Sequence, residues 1–143
     1  MTGRAQATMF KDIFKQNYAE YGSAIYFIDT SSDEPFEIDG AKFQENSAVS
    51  STIMLTKSDG TLKNCKLIDN EATKQTQNVF VSMSEVNIET CRFEDNNYRL
   101  SQKSASSVST EGNFLHILLQ VTMRVSDTYF YNGFSKNGGA VFL

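Results

Sequence analysis

The chain has 143 residues, of which 40% are hydrophobic and 21% charged, so it fits one domain with a packed core and is too apolar for disorder. A net charge of −4 leaves no basic footprint for nucleic acid or for an anionic membrane surface. No apolar run approaches the roughly 20 residues of a membrane helix, so no transmembrane segment is expected. The opening stretch MTGRAQATMF lacks the apolar h-region of a signal peptide.

One proline, many Ser, Thr and Asn, and short apolar segments favour strands and turns over helices. Read from the N-terminus, FKQNYAEYGSAIYF (14–27) is the first of five related units. Its Phe14 is followed three residues later by Asn17, and then by the apolar AIYFI. The second unit has Phe43, Asn46 and TIMLT. The third has Leu67, Asn70 and NVFVS. The fourth has Phe93 and Asn96, then the stretch Ser101–Gly112, then LHILL. The fifth has Phe130, with Gly133 in the Asn place, and finishes on GGAVFL (138–143). The period is roughly 25 residues, within the range of solenoid repeats. Residues 101–112 are small and polar without apolar alternation, and read as an exposed insertion in a single domain spanning 1–143.

Stacking the five units aligns further columns. Met9, Ile38, Leu62, Ile88 and Val125 stand before the anchors. Asp12, Ala41, Cys65, Cys91 and Thr128 stand two residues before them. In the second apolar segment Ile25, Ile53, Val79, Leu115 and Val141 form one column, and Phe27, Leu55, Val81, Ile117 and Leu143 another. Apolar residues at alternate positions in every unit predict two short strands per repeat with one face buried. Equivalent strands then stack in parallel and in register, giving an all-β, right-handed parallel β-helix of about five coils. The sharp turn after each anchor strand assigns the left-handed backbone conformation to Asn17, Asn46, Asn70, Asn96 and Gly133, because Asn and Gly tolerate it best. The four asparagines are also placed to hydrogen-bond from coil to coil as a ladder.

FKQN, FQEN and FEDN, together with GSAI (22–25) and GGAV (138–141), resemble the FxxN and GGA(I/L/V) repeats of polymorphic outer-membrane proteins, β-helical passenger domains of bacterial autotransporters. The resemblance runs from about Met9 to Leu143, although GGA is clear only in the outermost units. It implies surface display and adhesion, hence a cell-surface or extracellular location, and carries over no catalytic residues.

Candidate chemistry is sparse. His116 is the single histidine and no G-x-S-x-G is present. Cys65 and Cys91 fall in one inward column and are expected as stacked buried thiols, with a disulfide as the alternative. Glu45, Asp69 and Asp95 form an outward carboxylate column directly before the turn Asn. Its reading is a solvated edge, offset by Lys42, Lys66 and Arg92; the alternatives are a Ca²⁺ site or a catalytic carboxylate set. No cofactor is expected. Tyr26, Met54, Phe80, His116 and Phe142 align on the outward face of the second strand, flanked on one side by Ala24, Thr52, Asn78, Phe114 and Ala140. That stripe is a candidate docking surface for a protein or glycan partner, unless other parts of the chain cover it.

The sequence therefore predicts a non-enzymatic structural or binding module. A carbohydrate-active β-helix enzyme of the pectin lyase or polygalacturonase kind, or an inactive relative of one, is the alternative. Val141 and Leu143 lie in core columns at the finish, so the chain is expected to be part of a longer solenoid or to stack end to end.

Overall fold

The computed structural model describes residues 7–29, 34–72, 77–95, 114–133 and 140–142. Among these residues every regular element is a strand. The first repeat supplies β1 (Thr8–Phe10), β2 (Ile13–Lys15), β3 (Tyr18–Ala19) and β4 (Ile25–Ile28). The second supplies β5 (Phe36–Asp39), β6 (Lys42–Gln44), β7 (Ser47–Ala48) and β8 (Ser51–Thr56). The third supplies β9 (Gly60–Lys63), β10 (Lys66–Ile68), β11 (Glu71–Ala72) and β12 (Gln77–Ser82). The fourth supplies β13 (Glu85–Glu89), β14 (Arg92–Glu94) and β15 (Leu115–Leu118). The fifth supplies β16 (Thr122–Ser126), β17 (Tyr129–Tyr131) and β18 (Val141–Phe142).

Four parallel sheets result. Their orders are β1-β5-β9-β13-β16, β2-β6-β10-β14-β17, β3-β7-β11 and β4-β8-β12-β15-β18. Each strand pairs with the equivalent strand of the repeat before and the repeat after. The molecule is all-β, with parallel strands in stacked sheets, compatible with a parallel β-solenoid.

The columns read from the sequence are the observed registers. Phe14, Phe43, Leu67, Phe93 and Phe130 are successive partners in the second sheet. Met9, Ile38, Leu62, Ile88 and Val125 are successive partners in the first. Ile25, Ile53, Val79, Leu115 and Val141 follow one another in the fourth. In-register stacking places like on like, so apolar side chains meet apolar side chains at every level. The rings of Phe14 and Phe43 lie parallel at 4.9 Å, and those of Phe93 and Phe130 at 5.0 Å. Ile38, Phe43, Ile53, Leu55, Leu62, Leu67, Val79, Val81, Ile88 and Phe93 are fully buried. Removing one such side chain from water contributes about 1.5–3 kcal/mol. Gly60 begins β9 where the carbonyl and ring of Phe36 press closest, leaving no space for a β-carbon.

Two expectations need correction. The first is two strands per repeat: the described repeats carry three or four. Met9 and Phe14 both face inward although they are five residues apart, an odd number that one continuous strand does not permit. A corner at Lys11 and Asp12 resolves the conflict by splitting the segment into β1 and β2. The second concerns the left-handed residues. They are Gln16, Glu45, Asp69, Asp95 and Asn132, each one position before the assigned Asn or Gly, with φ between 51° and 56°. A second corner repeats the pattern at Lys11, Gly40, Asn64, Thr90 and Asp127, and a third at Asp29, Lys57, Met83 and Leu119. Most of these residues are not Gly or Asn, and each non-Gly position costs about 1 kcal/mol. Inter-repeat hydrogen bonds run straight through the corners and offset that cost. Glu45 N–H donates to the Ile68 carbonyl at 3.2 Å, and Asn64 N–H to the Glu89 carbonyl at 3.0 Å.

Candidate functional site

The asparagine ladder is built. The backbone N–H and Nδ2 of Asn17 both donate to Asn46 Oδ1, at 3.0 and 2.9 Å. The backbone N–H and Nδ2 of Asn46 donate in turn to Asn70 Oδ1, at 3.1 and 2.9 Å. Asn46 Nδ2 also reaches back to the Phe14 carbonyl at 2.9 Å, and Asn70 Nδ2 to the Phe43 carbonyl at 3.0 Å. One amide therefore ties three repeats together. Asn46 and Asn70 are fully buried, so these bonds also meet the heavy cost of burying an amide. The reason for Asn in this column is its side chain, which both donates and accepts, rather than its tolerance of left-handed backbone. Asn96 lies outside the described residues. Gly133 is exposed and carries no amide to extend the ladder.

A second ladder uses sulfur. Cys65 N–H donates to Cys91 Sγ at 3.4 Å, and Cys91 N–H to Thr128 Oγ1 at 3.3 Å. Each side chain also donates back to the carbonyl two residues earlier: Cys65 to Lys63 at 3.2 Å, Cys91 to Glu89 at 3.3 Å, Thr128 to Ser126 at 2.9 Å. Both cysteines are buried free thiols, as expected of the stacked reading. The hydrogen bond between the two side chains raises one thiol and lowers the other, Cys91, so they do not ionise independently. For Cys65 the bond to Cys91 and then burial both push the thiol up, well above its ordinary value. The same device appears with oxygen at the third corner, where Ser58 N–H donates to Ser84 Oγ at 2.9 Å and Ser84 Oγ–H donates to the Ser82 carbonyl at 2.8 Å.

The carboxylates Glu45, Asp69 and Asp95 occupy the left-handed corner position of consecutive repeats, half-buried. Glu45 accepts from Gln16 Nε2 and Gln44 Nε2, both at 2.8 Å, with Lys15 Nζ at 3.7 Å. Asp95 Oδ1 accepts from Asn132 Nδ2 at 2.7 Å. Neighbouring amides therefore hold the ends of the column. Among the described residues no cluster of His, Cys, Asp or Glu has the geometry to hold a metal ion. Lys42, Lys66 and Arg92 do share a register, and Arg92 Nε pairs with Glu94 at 2.7 Å within its own strand.

The stripe Tyr26, Met54, Phe80, His116 and Phe142 is in register as read. Its exposure is not uniform. Tyr26 is 48% exposed, Met54 and Phe80 are half-buried, and His116 is buried at 5%. The His116 ring meets Phe80 edge-on, 5.6 Å between centroids. The flanking column is not outward either. Thr52, Asn78 and Phe114 are buried, and Phe114 packs against the rings of Phe93 and Phe130 at 5.8 and 5.5 Å. At Ala24 and Phe114 the backbone bends, so strand alternation does not set which way those residues face. The insertion 101–112 and Leu143 lie outside the described residues.

Sequence reasoning passed over three surface clefts. One of about 250 Å³ is lined by Arg92, Tyr129 and Tyr131, and both tyrosines are exposed. Their signal was legible: Tyr129 and Tyr131 are outward neighbours of the anchor Phe130. Two more lie along the outer face of the first sheet. The cleft of about 310 Å³ is lined by Pro35, Asp59, Gly60, Thr61, Glu85 and Asn87. The cleft of about 360 Å³ includes Glu37, Thr61, Lys63 and Glu89.

No described helix is long and apolar enough to cross a membrane. Compared with protein-family models, curated proteins and solved structures, the chain has no significant match.

Proposed function

We propose that this chain is a right-handed parallel β-helix of about five coils, serving as a non-enzymatic structural or binding module of a surface or secreted protein. The FxxN repeats resemble those of polymorphic outer-membrane proteins, and a right-handed path is the common one for parallel strand connections. One observation carries the reading: the polar side chains that recur from repeat to repeat are engaged in hydrogen bonds between repeats. Asn17, Asn46 and Asn70 form the amide ladder, and Cys65, Cys91 and Thr128 the second one. Glu45 and Asp95, the outer pair of the carboxylate column, are bound by adjacent amides. Repetition of this kind fits holding a rod together better than aiming several groups at one bond. Tyr26, with Met54 and Phe80 beside it, is the part of the fourth sheet's face assigned to a protein or glycan partner.

The test is incubation with polygalacturonate, with and without Ca²⁺, reading unsaturated ends and reducing ends. The proposal expects no turnover. Turnover abolished by Asp69→Asn and Asp95→Asn would establish the enzyme reading instead.

A further inference from the structure

The two ends of the sheet stack present complementary edges. β1 and β2 are edge strands at one end, and β16 and β17 are edge strands of the same two sheets at the other. In a parallel sheet the groups left by the first strand are the partners of those left by the last. We propose that these ends join two copies of this chain head to tail, with the fifth repeat of one copy pairing in register with the first repeat of the next. This goes beyond the function proposed above and stands on the observed strand order and ladders.

Side chains fix the register. Within the molecule, the N–H at each Asn position donates to Oδ1 of the Asn one repeat further on. The Asn amide in turn donates to the anchor carbonyl one repeat back. Continued across the junction, Gly133 N–H donates to Asn17 Oδ1 of the next copy, and Asn17 Nδ2 donates to the Phe130 carbonyl. The second ladder continues in the same way. Cys91 N–H finds Thr128 Oγ1, and Thr128 N–H then finds the carboxylate of Asp12, which is exposed and begins that column. Two consecutive columns thus end on donors at one end of the stack and begin on acceptors at the other. Apolar groups follow the same order. Phe130, only half-buried, would stack on Phe14, and Val125, 41% exposed, would cover Met9. A head-to-tail contact of this kind does not close on itself, so it grows into rods rather than stopping at a dimer.

The experiment is sedimentation velocity over a range of concentrations, in moderate salt to screen the net charge of −4. The chain itself is compared with Asp12→Lys, which blocks one end, and Val125→Lys, which blocks the other. Circular dichroism checks that each variant keeps its strand content. The chain is expected to grow past the dimer as concentration rises, and each variant alone to stay monomeric. An equimolar mixture of the two variants has one good end of each kind, and should give a dimer that grows no further. A folded chain that remains monomeric at all concentrations overturns the proposal, as does growth that stops at a dimer or persists in both single variants. A variant that loses its strand content is replaced by Asn17→Ser or Met123→Lys, at the corresponding ends, with the same expected outcomes.

Discussion

The middle repeats and the outer repeats use the same columns and bury them differently. Ile38, Leu62 and Ile88 are fully buried, as are Phe43, Leu67 and Phe93. Their column mates Met9, Phe14 and Phe130 are only half-buried, and Val125 and Val141 are partly open to water. The polar columns repeat the contrast, with Asn46 and Asn70 buried and Asn17 exposed. Residue type is the same or similar along each column, so the difference comes from neighbours. A middle residue is covered from above and below; an outer one is covered from one side. Stability in such a stack belongs to the interfaces between repeats more than to any repeat alone.

Substitutions along one column sharpen this contrast. Phe43→Ala should cost about 3–5 kcal/mol, the usual range for emptying a buried phenylalanine site. Phe14→Ala, in the same column one repeat out, should cost about half as much, read from urea unfolding midpoints. Equal costs would break the comparison. The amide ladder gives the next effect. Asn46→Ala leaves the Asn17 N–H and the Phe14 carbonyl without their ladder partner, and should cost about 2–3 kcal/mol. Asn17→Ala should cost about 1 kcal/mol or less, since the exposed end keeps access to water.

The thiol column adds a pH dependence. The folded state raises the Cys65 thiol, so it favours the protonated form. The corresponding stability is complete below the ordinary thiol pKa of about 8.5 and is lost as pH rises beyond it. Unfolding midpoints should therefore fall between pH 8 and pH 10 by more in the unaltered chain than in Cys65→Ala. The smallest effect belongs to the surface. Lys15 and Glu45 approach to 3.7 Å with Lys15 about half exposed, and Lys15→Ala should change stability by less than about 0.5 kcal/mol.

The columns were legible because in-register stacking repeats the same apolar demand at every level. Met9 to Val125 and Phe14 to Phe130 could be aligned with no knowledge of the corners. The corners were harder to see. Lys11, Gly40, Asn64, Thr90 and Asp127 share a left-handed conformation but no residue type, because backbone pairing and not side-chain preference holds them there. Asn drew attention to itself at the second corner, although Gln16, Glu45 and Asp69 make the turn. The odd spacing between Met9 and Phe14 was the available clue. The burial of His116 and Phe114 was not legible, since strand alternation alone points both outward or leaves them unplaced. Tyr129 and Tyr131 were overlooked because they flank an anchor instead of recurring in a column.

Amide hydrogen exchange on the folded Val125→Lys variant, which removes end-to-end contact, tests the central claim most directly. Inter-repeat pairing with stability concentrated in the middle predicts the slowest exchange at Lys66, Val79 and Arg92, whose N–H groups bond across middle repeats. It predicts faster exchange at Tyr129, in the edge strand β17, and the fastest at Ile13, in the edge strand β2. Equal protection from β2 to β17, or slowest exchange at the edges, would contradict it.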